Sequence, residues 1–452
     1  MNCRFSLFFS ALALLTICSA SLAVEERTRP NIVLILADDM GWLDAGCFGS
    51  DLYETPNIGR LAAEGTRFTN SYTACHVCSP TRASILTGKY PARLHLTNFI
   101  PGRPRKGGMR VPPWTRHLPL EETTIAEALR PLGYVSGHFG KWHLNSDKEY
   151  RPGRPMDPAS QGFDEVLTTV KPKSTADPQS DPHHVRLITD AALTFIEHHR
   201  AGPFFCYVSH NSLHRPVIGR PELVDGYAEK IGPNNVQTSA QYAAMVHDLD
   251  ENVARIMAKL DALKLVQNTL LIFTSDNGGF TGDRKDAGTS NAPLRGGKGT
   301  NYEGGVRVPT IIRWPGIVKP GSVCHEPIIS NDFFPTVVEI AGMVDSAPNA
   351  TDGLSIVPLL RDAEARLNRE ALYWHYPHYH AQGATPHGAI RVGSWKLIEF
   401  FEDMHVELYN LAEDIGEQHD RAAEMPEKAS ALREQLHAWR DEVGAQMPLP
   451  PG

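Results

Sequence analysis

Cys78-Ser79-Pro80-Thr81-Arg82 puts a thiol, a helix start and a cation within one turn of chain. Pro80 suits the first turn of a helix, where a missing N–H does no harm, and Gly88 supplies a stop one short helix later. Cys78 therefore sits at a helix mouth, where unpaired backbone N–H groups and the dipole favour an anion. Arg82, four residues on, shares that face and flanks the anion site with a guanidinium. A lone cysteine there reads as an ordinary thiol, so the other parts of a site must come from elsewhere in the chain.

Oxygen donors stand in two places. Asp38-Asp39 follows the apolar run 31–37, and Asp276-Asn277 follows the apolar run 269–275. Hard oxygen ligands of this kind suit Ca2+ or Mg2+ and not Zn2+, although each pair also reads as a solvated turn. Lys141 and His143 in Gly140-Lys141-Trp142-His143 are two apart, so in an extended strand they point the same way. An amine and an imidazole side by side can hold an oxyanion and exchange a proton. Glycines around Lys298, from Gly296 to Gly305, let backbone approach a bound anion. That stretch is no P-loop: its first position lacks a glycine, and Gly299 replaces the hydroxyl residue that would hold Mg2+.

These residues need a scaffold. The runs 31–37, 204–208 and 269–275 are continuously apolar and rich in β-branched or aromatic residues, as strands buried on both faces are. Each delivers polar groups at its carboxyl end, the arrangement of an open α/β sheet with its site along that edge. Helices are expected at 58–64, 124–132, 185–199 and, capped by Ser239, from 240 to 263, where apolar residues recur at helical spacing. After a small-residue loop around 342–352 the texture changes to short strand-like pieces at 371–376, 388–392, 395–401 and 406–409, then a closing helix near 428–443. The expected organisation is a large, mostly parallel sheet flanked by helices over residues 24–345. A smaller C-terminal α+β subdomain follows over 346–452.

The Cys78 pentapeptide matches the core of the type I sulfatase signature, and Gly-Lys-Trp-His-Leu at 140–144 resembles that family's second signature. On these residues the chain is identified as a member of the formylglycine-dependent sulfatases, which share an alkaline-phosphatase-like fold. The resemblance implies that Cys78 is oxidised to formylglycine (3-oxoalanine) by a maturation enzyme. It also implies a calcium ion, or less readily magnesium, held by Asp38, Asp39, Asp276, Asn277 and residue 78. His214, before Arg215-Pro216, matches the family's substrate-contacting histidine in preference to His210, and Lys298 matches its active-site lysine. In the implied mechanism a hydroxyl of the hydrated aldehyde attacks sulfur while His214 or Lys298 assists the departing alcohol. The second hydroxyl, helped by His143, then expels sulfate. Arg82, Lys141 and Lys298 offset the sulfate charge.

The substrate is less legible. Tyr373-Trp374-His375-Tyr376-Pro377-His378-Tyr379-His380 is dense in aromatic and imidazole groups, and His375 and His378 are candidates to approach a sugar if the C-terminal part overhangs the site. Arg103, Arg105, Lys106, Arg110 and Arg116 make a basic loop that is either solvated or a rim for a polyanionic glycan. A sulfated carbohydrate of galactose or N-acetylgalactosamine type, or another polysaccharide, is the expected substrate.

Composition narrows the alternatives. At 452 residues, 41% hydrophobic and 21% charged, the chain matches a soluble globular protein with a sizeable core. Its formal charge of −8 argues against non-specific nucleic-acid binding, which needs phosphate neutralisation. Arg4, an apolar run and Ser21-Leu22-Ala23 read as a signal peptide over 1–23, so export to a periplasm or the outside is expected, with no membrane span. Cys47, Cys75, Cys206 and Cys324 could pair besides Cys78, and Asn349-Ala350-Thr351 is a glycosylation sequon. Two rival readings stand: a phosphate or phosphonate ester hydrolase of the same fold, and a non-catalytic relative that binds sulfated glycan.

Overall fold

The computed structural model describes residues 29–103, 107–146, 150–151, 153–281, 288–343 and 351–450. The expected leader at 1–23, Arg105, Lys106 and Asn349 of the sequon lie outside the described residues. The strands in chain order are β1 Asn31–Ala37, β2 Thr66–Phe68, β3 Ser71–Tyr72, β4 Val135–Gly140, β5 Glu165–Thr168, β6 Phe204–Ser209, β7 Thr269–Ser275, β8 Thr310–Arg313, β9 Ser322–Cys324, β10 Ile328–Ile329, β11 Leu372–Tyr376, β12 His387–Val392, β13 Trp395–Phe400 and β14 Val406–Asn410. Eight of them form one sheet in the order β5-β4-β6-β1-β7-β8-β2-β9. β5, β4, β6, β1 and β7 are all parallel, and β8 runs antiparallel to both its neighbours, so the sheet is mixed but mostly parallel.

The alternation of β1 explains the layers. Ile32, Leu34 and Leu36 join one apolar core with the helices Cys78–Thr87 and Ile125–Leu129. Val33, Ile35 and Ala37 join a second core, on the other face, with the helices Val185–His198 and Ala240–Ala262. Each fully buried Val, Leu or Ile of this strand stabilises the fold by about 1.5–3 kcal/mol, which fixes its register and so the position of the residues after it. Ser239 caps Ala240–Ala262 by accepting a hydrogen bond from the Tyr242 N–H. The first helix begins two residues earlier than expected, at Pro56, because proline is at home in that first turn.

β11 to β14 form a separate antiparallel meander, covered by the helix Pro426–Glu442. Trp374, Leu397, Leu436 and Trp439 share its core with Tyr72 and Val306 of the main body. Beneath that core lies a buried ionic cluster. Lys396 Nζ is 2.9 Å from Glu303 Oε1 and 2.9 Å from Glu417 Oε1. Tyr72 donates to Glu303 Oε2 at 2.6 Å, Arg307 lies 3.4 Å from that oxygen, and Arg391 donates to the Tyr72 hydroxyl. Burial raises Glu303, but Lys396, Arg307 and Arg391 outweigh it and hold the carboxyl below its usual range. Burial pushes Glu417 up, against the pull of Lys396. Cys47, Cys75, Cys78, Cys206 and Cys324 are all free, so the expected option of disulfide pairing is not taken among the described residues.

Candidate active site

β1 and β7 pair in parallel with Ala37 opposite Ser275, so Asp38-Asp39 and Asp276-Asn277 leave the sheet side by side. On the other side of β1, Leu36 pairs with Ser209 of β6, which brings a third strand end to the same edge. Asp39 turns sharply with φ 66°, a left-handed conformation that aspartate tolerates, and its N–H donates to Asp276 Oδ1 at 3.2 Å. The helix Cys78–Thr87 points its start at this edge: Val77 before it is extended, and Gly88 after it adopts φ 72°. One oxygen each from Asp38 and Asp276 and the Cys78 Sγ lie within 4.8 Å of one another, as do atoms of Asp38, Asp39 and His214.

Three cations answer the three carboxylates. Arg82 donates to Asp276 Oδ2 from Nε at 2.9 Å and from Nη2 at 2.7 Å. Its Nη1 donates to the Lys141 carbonyl and to the Ser209 hydroxyl. Lys141 Nζ donates to Asp38 Oδ2 at 2.6 Å, and Lys298 Nζ to Asp39 at 2.5 and 2.7 Å. Two oxygens of this cluster remain buried without a hydrogen bond among the described residues, Asp38 Oδ1, which has Arg82 Nη2 4.0 Å away, and Asn277 Oδ1. An unpaired buried oxygen is costly, and a cluster of carboxylates and one amide oxygen is the donor set a hard divalent cation takes. The residues fit such an ion: Asp38, Asp39, Asp276 and Asn277 would hold it.

Lys141 and His143 are not in a strand as expected. β4 ends at Gly140, and His143 adopts φ 55°. The chain turns there because the Lys141 N–H bonds to the Ser209 carbonyl while the Lys141 amine reaches Asp38. His143 Nε2 lies 2.6 Å from the Ile100 carbonyl, which can only accept, so Nε2 carries the proton and Nδ1 is the basic nitrogen. Burial works against a thiolate at Cys78, but Lys141, His143 and Lys298 together bring it down to about 7. The buried Cys75, without such neighbours, is pushed up to about 12.

His214 Nδ1 donates to the Arg215 carbonyl at 2.6 Å, which turns Nε2 toward Asp39 Oδ2, 3.9 Å away. Burial, and then Lys298, Lys141 and Lys171, hold its pKa well below the usual. His210 is fully buried and its ring nitrogens make no hydrogen bond among the described residues, whereas His214 lies with Asp38 and Asp39, so the structure brings His214 to the carboxylates. His375 and His378 are elsewhere. His375 Nε2 bonds the Gln446 carbonyl at 2.9 Å beside Phe401, and His378 Nε2 bonds the Thr97 hydroxyl at 2.8 Å beside Trp114. Both are buried, and burial pulls each down to about 3, so neither presents an open imidazole. Among the C-terminal histidines, His380 borders the site: a Cβ on Gly299, next to Lys298, would collide with its Nδ1. In the basic loop, Arg110 is tied to Leu449 and Pro450, and Arg116 stacks over Trp114.

Two residues escape the sequence reading. Asp44 is fully buried and accepts from the Gly41 N–H, Tyr242, Thr289 and Gln237, which pins the turn that carries Asp38 and Asp39. Lys171, in the loop after β5, enters the electrostatics of Cys78, Lys141 and Lys298. Neither falls in a recognisable motif; their only signal is position just beyond a strand tip.

Comparison with known proteins agrees with this geometry. The family model described as Sulfatase matches residues 30–343, and that described as N-sulphoglucosamine sulphohydrolase, C-terminal, matches residues 297–442. A sulfatase of Formosa agariphila is 31% identical across 94% of this chain and 91% of its own. Arylsulfatase A of Homo sapiens is 32% identical across 97% and 92%. The crystal structure of Ps i-CgsB in complex with k-i-k-neocarrahexaose superposes with a TM-score of 0.75 at 28% identity, covering 91% of this chain and 93% of that one.

Proposed function

The chain belongs to the sulfatase family and is a sulfuric ester hydrolase, and from that premise we propose that it removes sulfate from a sulfated carbohydrate, using residue 78 as the nucleophile's carrier. The observation that carries the reading is the convergence of Cys78, Lys141, His143, His214 and Lys298 on the carboxylates at the tips of β1 and β7. The carbohydrate class is supported by N-acetylgalactosamine-6-sulfatases among the relatives, the human one 33% identical over 73% of this chain, and by the oligosaccharide complex above.

When present, formylglycine at residue 78 supplies a hydrated aldehyde, and calcium at the strand tips supplies a hard Lewis acid. The chain's own residues do the rest. Lys141 and Lys298 place two ammonium groups beside residue 78, where they hold sulfate oxygens; each such contact contributes on the order of 10²-fold or more to turnover. Nδ1 of His143, with its partner nitrogen fixed on the Ile100 carbonyl, takes the proton from residue 78. His214 Nε2 suits the proton delivered to the departing alcohol better than Lys298 does. Lys298's proton is secured by Asp39, whereas His214 is held neutral by burial and, after that, by the nearby cations, a part that an anionic substrate offsets. Arg82, spent on Asp276, orients the site without reaching for sulfate.

Mass spectrometry of the peptide spanning residue 78, coupled to sulfate release from a glycan panel, tests this. A formylglycine mass is expected at 78, and Cys78→Ala is expected to abolish sulfate release while keeping the native circular dichroism spectrum. Release at the parental rate by Cys78→Ala would refute it. Matched phosphate and sulfate esters should differ in favour of sulfate. Chelation should lower the melting temperature and calcium restore it, since a ligand at a hundred times its Kd stabilises by about 2.7 kcal/mol. No helix among the described residues is long and apolar enough to cross a membrane. Export follows from the leader at 1–23, and N-terminal sequencing of the exported protein, expected to begin at Val24, checks it.

A further inference from the structure

Lys171 differs from every other cation near the site. Thr169, two residues before it, is fastened on both sides: its N–H donates to the Gly140 carbonyl at 2.9 Å and its hydroxyl accepts from Asn211 at 2.7 Å. The loop thus leaves the sheet between Lys141 and the 211–214 turn that carries His214, and Lys171, three residues beyond β5, is solvent-accessible yet partly desolvated. Desolvation, then repulsion from Lys141 and Lys298, pulls Lys171 below the usual lysine range, while Cys78 and Asp38 pull the other way. It also bears on His214. Lys141, Lys298 and Arg82 each rest on a carboxylate, but Lys171 has no hydrogen-bond or ion-pair partner among the described residues.

A positive charge that shares the field of two others, with no counterion from the protein, is a ready partner for an anion from outside. A sulfate monoester carries one negative charge, and Lys141 and Lys298 already face it. We propose that Lys171 is a specificity-determining residue that takes a second anionic group of the substrate, a sulfate or carboxylate borne beside the sulfate that is cleaved. This rests on the sulfated-carbohydrate reading and extends it: the preferred substrate is a polyanionic glycan and not a singly sulfated sugar. Lys173, exposed two residues further on, extends the same charge outward.

The test compares kcat/KM of the matured full-length enzyme on three probes: N-acetylgalactosamine 6-sulfate, its 4,6-disulfate, and the 6-sulfate joined to a uronic acid. Lys171→Gln should lower the ratio of a dianionic probe to the singly charged one about fivefold at low ionic strength, the scale of one exposed charge pair. Added salt should erase most of that difference, and Lys171→Arg should restore it. A fall confined to the disulfate names sulfate as the second group, and one confined to the uronosyl probe names carboxylate. Equal losses on all three probes, or an unchanged ratio in both arms, would overturn the assignment. Parental enzyme that releases no sulfate from these probes or from any member of the glycan panel would overturn the carbohydrate reading itself, and this inference with it.

Discussion

The molecule buries charge in two places, and they are built to opposite ends. At the tips of β1 and β7, three carboxylates meet three cations, yet Asp38 Oδ1 and Asn277 Oδ1 make no hydrogen bond among the described residues. Around Lys396, by contrast, Glu303 is answered by Tyr72, Lys396 and Arg307, all inside apolar surroundings. The first cluster keeps spare coordination and so stores affinity for something that is not protein. The second spends its charge on joining the main body to the C-terminal meander. Buried ion pairs in general are weak evidence for net stability, but breaking one leaves an uncompensated charge. Chemistry and architecture thus use the same residue types with different degrees of completion.

The contrast can be broken at four points. Lys298→Ala should cost the most, on the order of 10²–10³-fold in kcat by sulfate release, with little change in urea midpoint. An equal loss of stability would mean that its ion pair with Asp39 is structural. Lys396→Ala should do the reverse, lowering stability by about 3–5 kcal/mol in urea titration, with any folded protein retaining turnover.

Asp44 lies between the two types. Burial raises it from 3.8 to about 6 despite its donors Thr289, Tyr242, Gly41 and Gln237. An acid whose folded value is raised favours the folded state at low pH, so its contribution declines as pH rises from about 4 to about 6. The expected decline is on the order of 3 kcal/mol. Asp44→Asn should flatten that segment of the stability profile; an unchanged slope would assign it to other groups. His375→Gln should have the smallest effect, about 1 kcal/mol from its bond to the Gln446 carbonyl, and leave kcat/KM within about twofold.

The sequence made the strand tips readable because their signals are local: an apolar run followed by paired acids, and a proline-marked helix start at Cys78. The C-terminal meander was equally legible, its four strands falling within a residue or so of expectation. What escaped was non-local. The turn at Lys141 depends on Ser209 and Asp38, far away in sequence, and overrides the extended reading of Lys-Trp-His. His375 looked available because alternation cannot say which face of an edge strand a closing helix and tail will cover. Lys171 carries no motif, and its meaning comes from what lies across the loop.

Glu303 sits five residues after Lys298, and its backbone N–H donates to Glu417 while its carboxylate holds Lys396. One short glycine-rich turn therefore has an active-site amine at its start and an anchor in the last quarter of the chain at its end. A gene truncation near residue 345 would strip away Lys396 and Glu417 together with the apolar cover of β11 to β14, leaving Glu303 with only Tyr72 and Arg307 and the turn that carries Lys298 without its far anchor. The tail is thus a splint for the chemistry, and versions of this protein that lack the last quarter should be silent even where every residue of the helix after Val77 survives.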